Sequence, residues 1–183
     1  MTVKESILLA AEELGCGGQV RDYLENKGET GKRETEALLR CFNLVENEVA
    51  LDYLPLYAED ETETETGTIA YSVLSKKAVR ILGVRDEGGN KIPFRLFPEF
   101  LKTAPGKVKI VYTYTPEEKG VEDSSDFVLQ VSPRLLALGM AAEYCLAGGL
   151  FEEAEVWDAK YRDALSAAYR ARPARVMRSR RWA

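Results

Sequence analysis

The hydrophobic period of this chain changes twice along its length, and that change limits what it can fold into. The first third places apolar residues at helical spacing, the middle third at alternate positions, and the last third at helical spacing again. One segment cannot satisfy both periods, so the chain is expected to be α+β. Neither helical third can bury its apolar stripe alone. Residues 1–54 and 132–170 are therefore expected to form one helical bundle, with residues 55–131 inserted as a small antiparallel β-sheet or sandwich. The ends of the insertion, near Tyr53 and Ser132, must then lie close in space. Residues 171–183 are left as an extended C-terminal tail.

The helical segments have readable ends. Val3, Ile7, Ala10 or Ala11, and Leu14 share a face, and Gly15 stops the helix. A short helix over Gln19–Asn26 ends at Gly28. A longer one runs from Lys32 to Tyr53, with Leu38, Cys41, Phe42, Val45 and Val49 as its stripe, and Pro55 closes it. Arg33, Glu36, Arg40 and Glu46 are expected to face largely away. Ser132-Pro133 supplies an N-cap followed by proline at the first helical position. The helix after it, to about Ala147, is apolar nearly all round, with only Arg134 and Glu143 charged. Such a helix is either the centre of the bundle or packed twice, once by its own chain and once by a neighbouring copy. Leu135, Leu138 and Ala142 are the candidate subunit–subunit packing residues. Gly148-Gly149 breaks the helix. The last one, Leu150 to about Arg170, sets Leu150, Ala154, Trp157, Tyr161, Ala164 or Leu165, and Ala168 on one stripe.

The middle third alternates. Glu61 to Thr66 reads as an exposed strand with two polar faces near a sheet edge, and Thr68–Val73 is positioned to pair with it across Gly67. Glu87-Gly88-Gly89-Asn90 between Val79–Arg85 and Lys91–Phe94 is a hairpin signal. Lys107–Thr115 puts Val108, Ile110, Tyr112 and Tyr114 on one face. Phe127–Val131 is short and apolar and reads as a last strand.

Composition narrows the chemistry. There is no histidine, which removes histidine bases, histidine-assisted nucleophiles and histidine metal ligands. Cys16, Cys41 and Cys145 are too scattered for a zinc site and read as small residues in a reducing compartment. Gly15-Cys16-Gly17-Gly18 lacks the Lys-Ser/Thr of a phosphate loop. The acids of Glu59–Glu65 point along a strand and cannot close around a small ion without other partners. Those of Glu152, Glu153, Glu155 and Asp158 suit the start of a helix. Ser124 and Ser125 sit in a polar loop with no group to activate them. No catalytic residue, metal or cofactor is expected. No apolar run approaches the length of a membrane span, and Met1–Leu14 lacks the layout of a secretory signal.

Charge is divided along the chain. The net charge is −5, yet no acidic residue follows Asp163, whereas Arg170, Arg172, Arg175, Arg178, Arg180 and Arg181 do. Without those arginines the remainder carries about −11. A solubilising end needs no particular sequence, but this one also holds Val176, Met177 and Trp182. Arginine interleaved with Met and Trp is the composition of an interface anchor, whose target is a protein groove, an acidic protein surface or nucleic acid.

Three stretches resemble a known family. Leu39–Leu56, LRCFNLVENEVALDYLPL, is similar to the Asn-x-Val-x-x-Glu-x-Ala-x-Asp-Tyr-x-Pro-Leu segment of the head-to-tail connector, or adaptor, proteins of tailed bacteriophages. These are related in architecture to the gatekeeper tail-tube proteins of short-tailed phages. GMAAEYCLAGGLFEEAEVWDAKYRDAL, within Ser132–Ala168, resembles that family's closing helix pair, and RVMRSRRWA resembles its basic, Trp-bearing endings. The resemblance implies a structural virion protein at the head–tail interface, made in the host cytoplasm. It implies a dodecameric ring of identical subunits beneath the portal protein, around the genomic DNA, meeting the next neck or tail component through the β part. It implies no enzyme activity and no membrane. On this reading Arg172, Arg175, Val176, Met177, Arg178, Arg180, Arg181 and Trp182 dock on the portal. The alternative is a nucleic-acid-binding regulator using the same arginines, and a more remote one is a carboxylate–metal enzyme.

Overall fold

The computed structural model describes residues 1–129 and 131–170. The chain is α+β, with five α-helices and two small antiparallel sheets among the described residues. Helix α1 (Val3–Glu13) starts where the Thr2 side chain accepts the Glu5 N–H, and α2 (Gly17–Leu24) follows at once. Gly17 and Gly18 form the first turn of α2. Helix α3 (Lys32–Glu48) continues into a wider π-helical turn, Val49–Tyr53, so the helical stretch extends as far as its stripe indicated.

The strands form in the middle third. They are β1 (Leu56–Thr64), β2 (Thr68–Ala70), β3 (Ala78–Asp86), β4 (Lys91–Ile92), β5 (Arg95–Leu96), β6 (Phe100–Lys102) and β7 (Gly106–Tyr114). The larger sheet has the order β1-β7-β3-β4, with β1 at an edge as expected and the β3–β4 hairpin closed at Gly88-Gly89. The smaller sheet has the order β2-β6-β5. Thr68–Ala70 does not pair with β1. Gly67, at φ +73°, turns the chain away to β6, and a Cβ there would lie 2.2 Å from the Thr103 carbonyl oxygen. Nor are both faces of β1 free. Asp60, Thr62 and Thr64 lie against the sheet's inner side, while Tyr57, Glu59, Glu61 and Glu63 are exposed. Ile69 and Leu101 of the small sheet share one core with Ile81, Val84, Val108, Ile110 and Tyr112 of the large one.

The helical ends share a second core. Helix α4 (Pro133–Ala147) begins at Ser132, whose side chain accepts the Leu135 N–H, and α5 (Phe151–Arg170) runs back along it after the Gly148-Gly149 turn. Helices α1, α3 and α5 all pack on α4. Gly139 makes this close approach possible, because a Cβ there would lie 2.7 Å from Val45 Cγ1 and 2.9 Å from Tyr161 Cε2.

Phe127 and Val131 correct the last strand expected from sequence. They belong to the helical core, beside Leu136, Met140 and Leu54. The stretch after β7 has no strand among its described residues beyond one bridge between Thr2 and Ser124. The chain therefore returns to the helices soon after Tyr114, well before Val131. No helix among the described residues is long and apolar enough to cross a membrane.

Candidate interaction surfaces

The proposed docking residues Arg172, Arg175, Val176, Met177, Arg178, Arg180, Arg181 and Trp182 lie outside the described residues. The proposed subunit-packing residues do not. Leu135, Leu138 and Ala142 are only 3%, 6% and 8% exposed, covered within their own chain. Of the two readings of α4, its position against α1, α3 and α5 is that of a centre. Leu135 to Ala142 are covered within the chain, whereas Leu146 and Ala147 at the end of the helix stay exposed. Leu135 and Leu138 show only the floor of a cleft edged by Arg134, Lys160 and Asp163.

The exposed apolar surface lies elsewhere. A groove of about 480 Å³ runs between α3 and the end of α4, lined by Ala37, Cys41, Leu44, Tyr144, Ala147 and Leu150 and edged by Arg33, Arg40 and Glu143. Leu44 and Leu150 are exposed in it, while the exposed Leu146 and Phe151 line a separate cleft with Ala154 and Asp158 of α5. Val128 and Leu129 protrude from the loop after β7, and Leu129 is 94% exposed. On the β part, Tyr57, Val79, Leu82, Leu96 and Phe97 are also exposed.

A buried polar network holds that loop against α3. Glu46 was expected at the surface, yet it is 1% exposed. Its Oε1 accepts from the Ser125 hydroxyl at 2.5 Å and from the Asp126 N–H at 3.0 Å. Ser125, read as a lone loop serine, is thus a buried donor whose Oγ also accepts the Phe127 N–H. The Asn43 side chain donates to the Lys119 carbonyl and accepts the Lys119 N–H, and Lys119 Nζ reaches Asp126 at 2.8 Å. Burial pushes the Glu46 carboxyl up, with Asp126 reinforcing it, against its two hydrogen bonds and the Lys119 charge. Glu46 lies about 80° round the helix from the centre of the stripe, on its margin, so a rule that sends charges outward misplaces it. The signal that was available is Asn43, Glu46 and Asn47 together on one flank of an otherwise apolar helix.

The groups weighed for chemistry are accounted for in the same way. Cys41 and Cys145 are buried; burial holds both thiols up, Cys41 at about 11. Cys16 is half-buried, and its thiol is raised for the same reason. On β1, Glu59 and Glu61 face Lys109 of β7. A cleft of about 280 Å³ there is lined by Glu61, Glu63 and Glu87 with Lys107 and Lys109. Among the described residues no group of three or more His, Cys, Asp or Glu side chains is placed to hold a metal ion. The Tyr161 hydroxyl donates to Glu48 Oε2 at 3.2 Å, tying α5 to the end of α3, and burial beside that carboxylate pushes the phenol up. Neither protein-family models nor curated protein sequences match the chain.

Proposed function

We propose that this protein is a structural connector of a tailed-phage virion. Copies form a ring beneath the portal, and residues 171–183 form an extended tail that docks on it. The helical ends act as one bundle around the DNA channel, and the β part meets the next neck or tail component. No residue has a catalytic role.

The observation that carries this reading is the division of charge. Every acidic residue lies at or before Asp163, and six arginines follow with Val176, Met177 and Trp182 among them. Arg and Trp are the side chains most often found as interface anchors. Helix α5, with 20 residues, carries the chain about 30 Å from the α4–α5 turn before most of that run begins. Each anchor need bind only weakly, because a ring presents many at once. A remainder of net charge about −11 repels a duplex and lets it slide. Two separate cores suit a part that joins two different neighbours.

The test is complementation of a connector-null phage with a chain lacking Arg172–Ala183. The expected result is a folded protein that no longer joins heads to tails. Full complementation by the truncated chain would overturn the anchor. The arginine run alone favours the nucleic-acid reading. Duplex binding that falls steeply with salt and is indifferent to Trp182→Ala, with no affinity for portal rings, would put that reading ahead.

A further inference from the structure

Two surfaces of the helical part are matched in character and point in different directions. The first is the Val128–Leu129 tip. Val128 and Leu129 stand out from anchored neighbours, because Phe127 and Val131 are buried in the helical core and Ser125 and Asp126 are hydrogen-bonded to Glu46. The same loop carries exposed Glu117, Glu118, Glu122 and Asp123. Glu117 and Glu122 face Lys76 and Lys4 only at 3.7 and 3.9 Å and remain largely open to solvent. The second surface is the groove between α3 and α4. Its walls are apolar, it is large enough for both tip side chains, and Arg33 and Arg40 stand on its rim with Glu143. Among the described residues, neither arginine makes a salt bridge.

Helix α3 separates the two surfaces. Asn43, which fixes the loop through Lys119, and Leu44, which lines the groove, are consecutive residues and so point about 100° apart. Tip and groove thus occupy different flanks of one helix, an arrangement that suits a neighbour on each side.

We infer that a second copy of this chain seats its Val128–Leu129 tip in the α3–α4 groove, with Arg33 and Arg40 facing the acids of the incoming loop. The contact is head-to-tail: each copy offers a tip to one neighbour and a groove to the other. It rests on the ring of the proposed connector and gives that ring its lateral contact. Its apolar part comes from Leu44, Leu150, Val128 and Leu129, which are exposed in the single chain, whereas Leu135, Leu138 and Ala142 are already covered.

The test uses full-length protein carrying Leu129→Asp or Leu44→Asp, followed by sedimentation velocity over rising concentration. Both side chains are exposed in the single chain, so both variants should fold, which circular dichroism checks. Wild type is expected to form assemblies larger than dimers, and each variant alone to need at least about tenfold more protein to associate. An equal mixture is expected to give dimers and nothing larger, because one intact tip and one intact groove remain. Wild type that stays monomeric, variants that assemble like wild type, or a mixture no better than either variant would each overturn the inference. Binding to portal rings, measured in parallel, separates the two claims. Assembly through another surface with portal binding kept sinks only the contact, whereas tip-to-groove assembly without portal binding sinks only the connector reading.

Discussion

Replacing Gly139 with alanine sets two effects of known size against each other. Alanine in a helix interior is favoured over glycine by about 0.8–1.0 kcal/mol. Against that, the new methyl would stand 2.7 Å from Val45 Cγ1 and 2.9 and 3.1 Å from Tyr161 Cε2 and Cζ. Neither neighbour can move into open space: Val45 is in the core, and the Tyr161 ring is buried and tied through its hydroxyl to Glu48. Overpacking of a filled core costs about 1–3 kcal/mol, and two tethered neighbours place this site toward the upper end. The net expectation is a loss of about 1–2 kcal/mol, or a Tm lower by about 2–8 °C in a chain of this size. Gly18→Ala is the control. It is exposed in the first turn of α2, nothing lies within 4 Å of its added Cβ, and it should gain up to about 1 kcal/mol. Urea denaturation of both variants measures the difference. If Gly139→Ala proves as stable as wild type while Gly18→Ala behaves as expected, α4 does not lie this close to α3 and α5.

Two further predictions concern the polar networks. Glu46 is held above its ordinary value of 4.5, so folding disfavours its ionised form. Its contribution is whole below that value and is lost as pH rises through the higher folded-state value. Glu46→Gln should flatten this part of the stability–pH curve, measured by denaturation from acid to neutral pH; an unchanged slope would show that Glu46 is not the source. In the β part, burial tends to raise Asp60, but hydrogen bonds from Tyr112 and from the Ser75 side chain and N–H outweigh it and hold the carboxyl below 3.8. That contribution is present above 3.8 and is lost as pH falls through the lower folded-state value. Tyr112→Phe should cost about 1.5–3 kcal/mol and raise the Asp60 midpoint toward 3.8 in an NMR titration, and a null effect on both would rule the network out.

The parts of the fold set by local chemistry could be read from the chain. Ser132-Pro133 starts a helix, Gly148-Gly149 ends one, and Gly88-Gly89 closes a hairpin, because each acts within a few residues. Pairings decided at long range could not. The hairpin expected for β2 lost to β6, more than 30 residues on, since Gly67 redirects the backbone rather than folding it back. Phe127–Val131 is short and apolar like a buried strand, yet Phe127 and Val131 are anchors that return the chain to the helices. Glu46 is buried only because Ser125 and Asp126, nearly 80 residues away, supply its donors. The apolar circumference of α4 was legible, but its burial inside one chain was not, because periodicity cannot say whose side chains cover it. The exposure of Leu129 is hidden from the sequence for the same reason.

Sedimentation of this protein with purified portal rings, with and without residues 172–183, decides whether the basic end docks on the portal. The full chain is expected to co-sediment with the rings, Trp182→Ala to weaken this, and the truncated chain to stay behind while keeping its helical and β signals. Co-sedimentation of full and truncated chains to the same extent, or of neither, would contradict that docking.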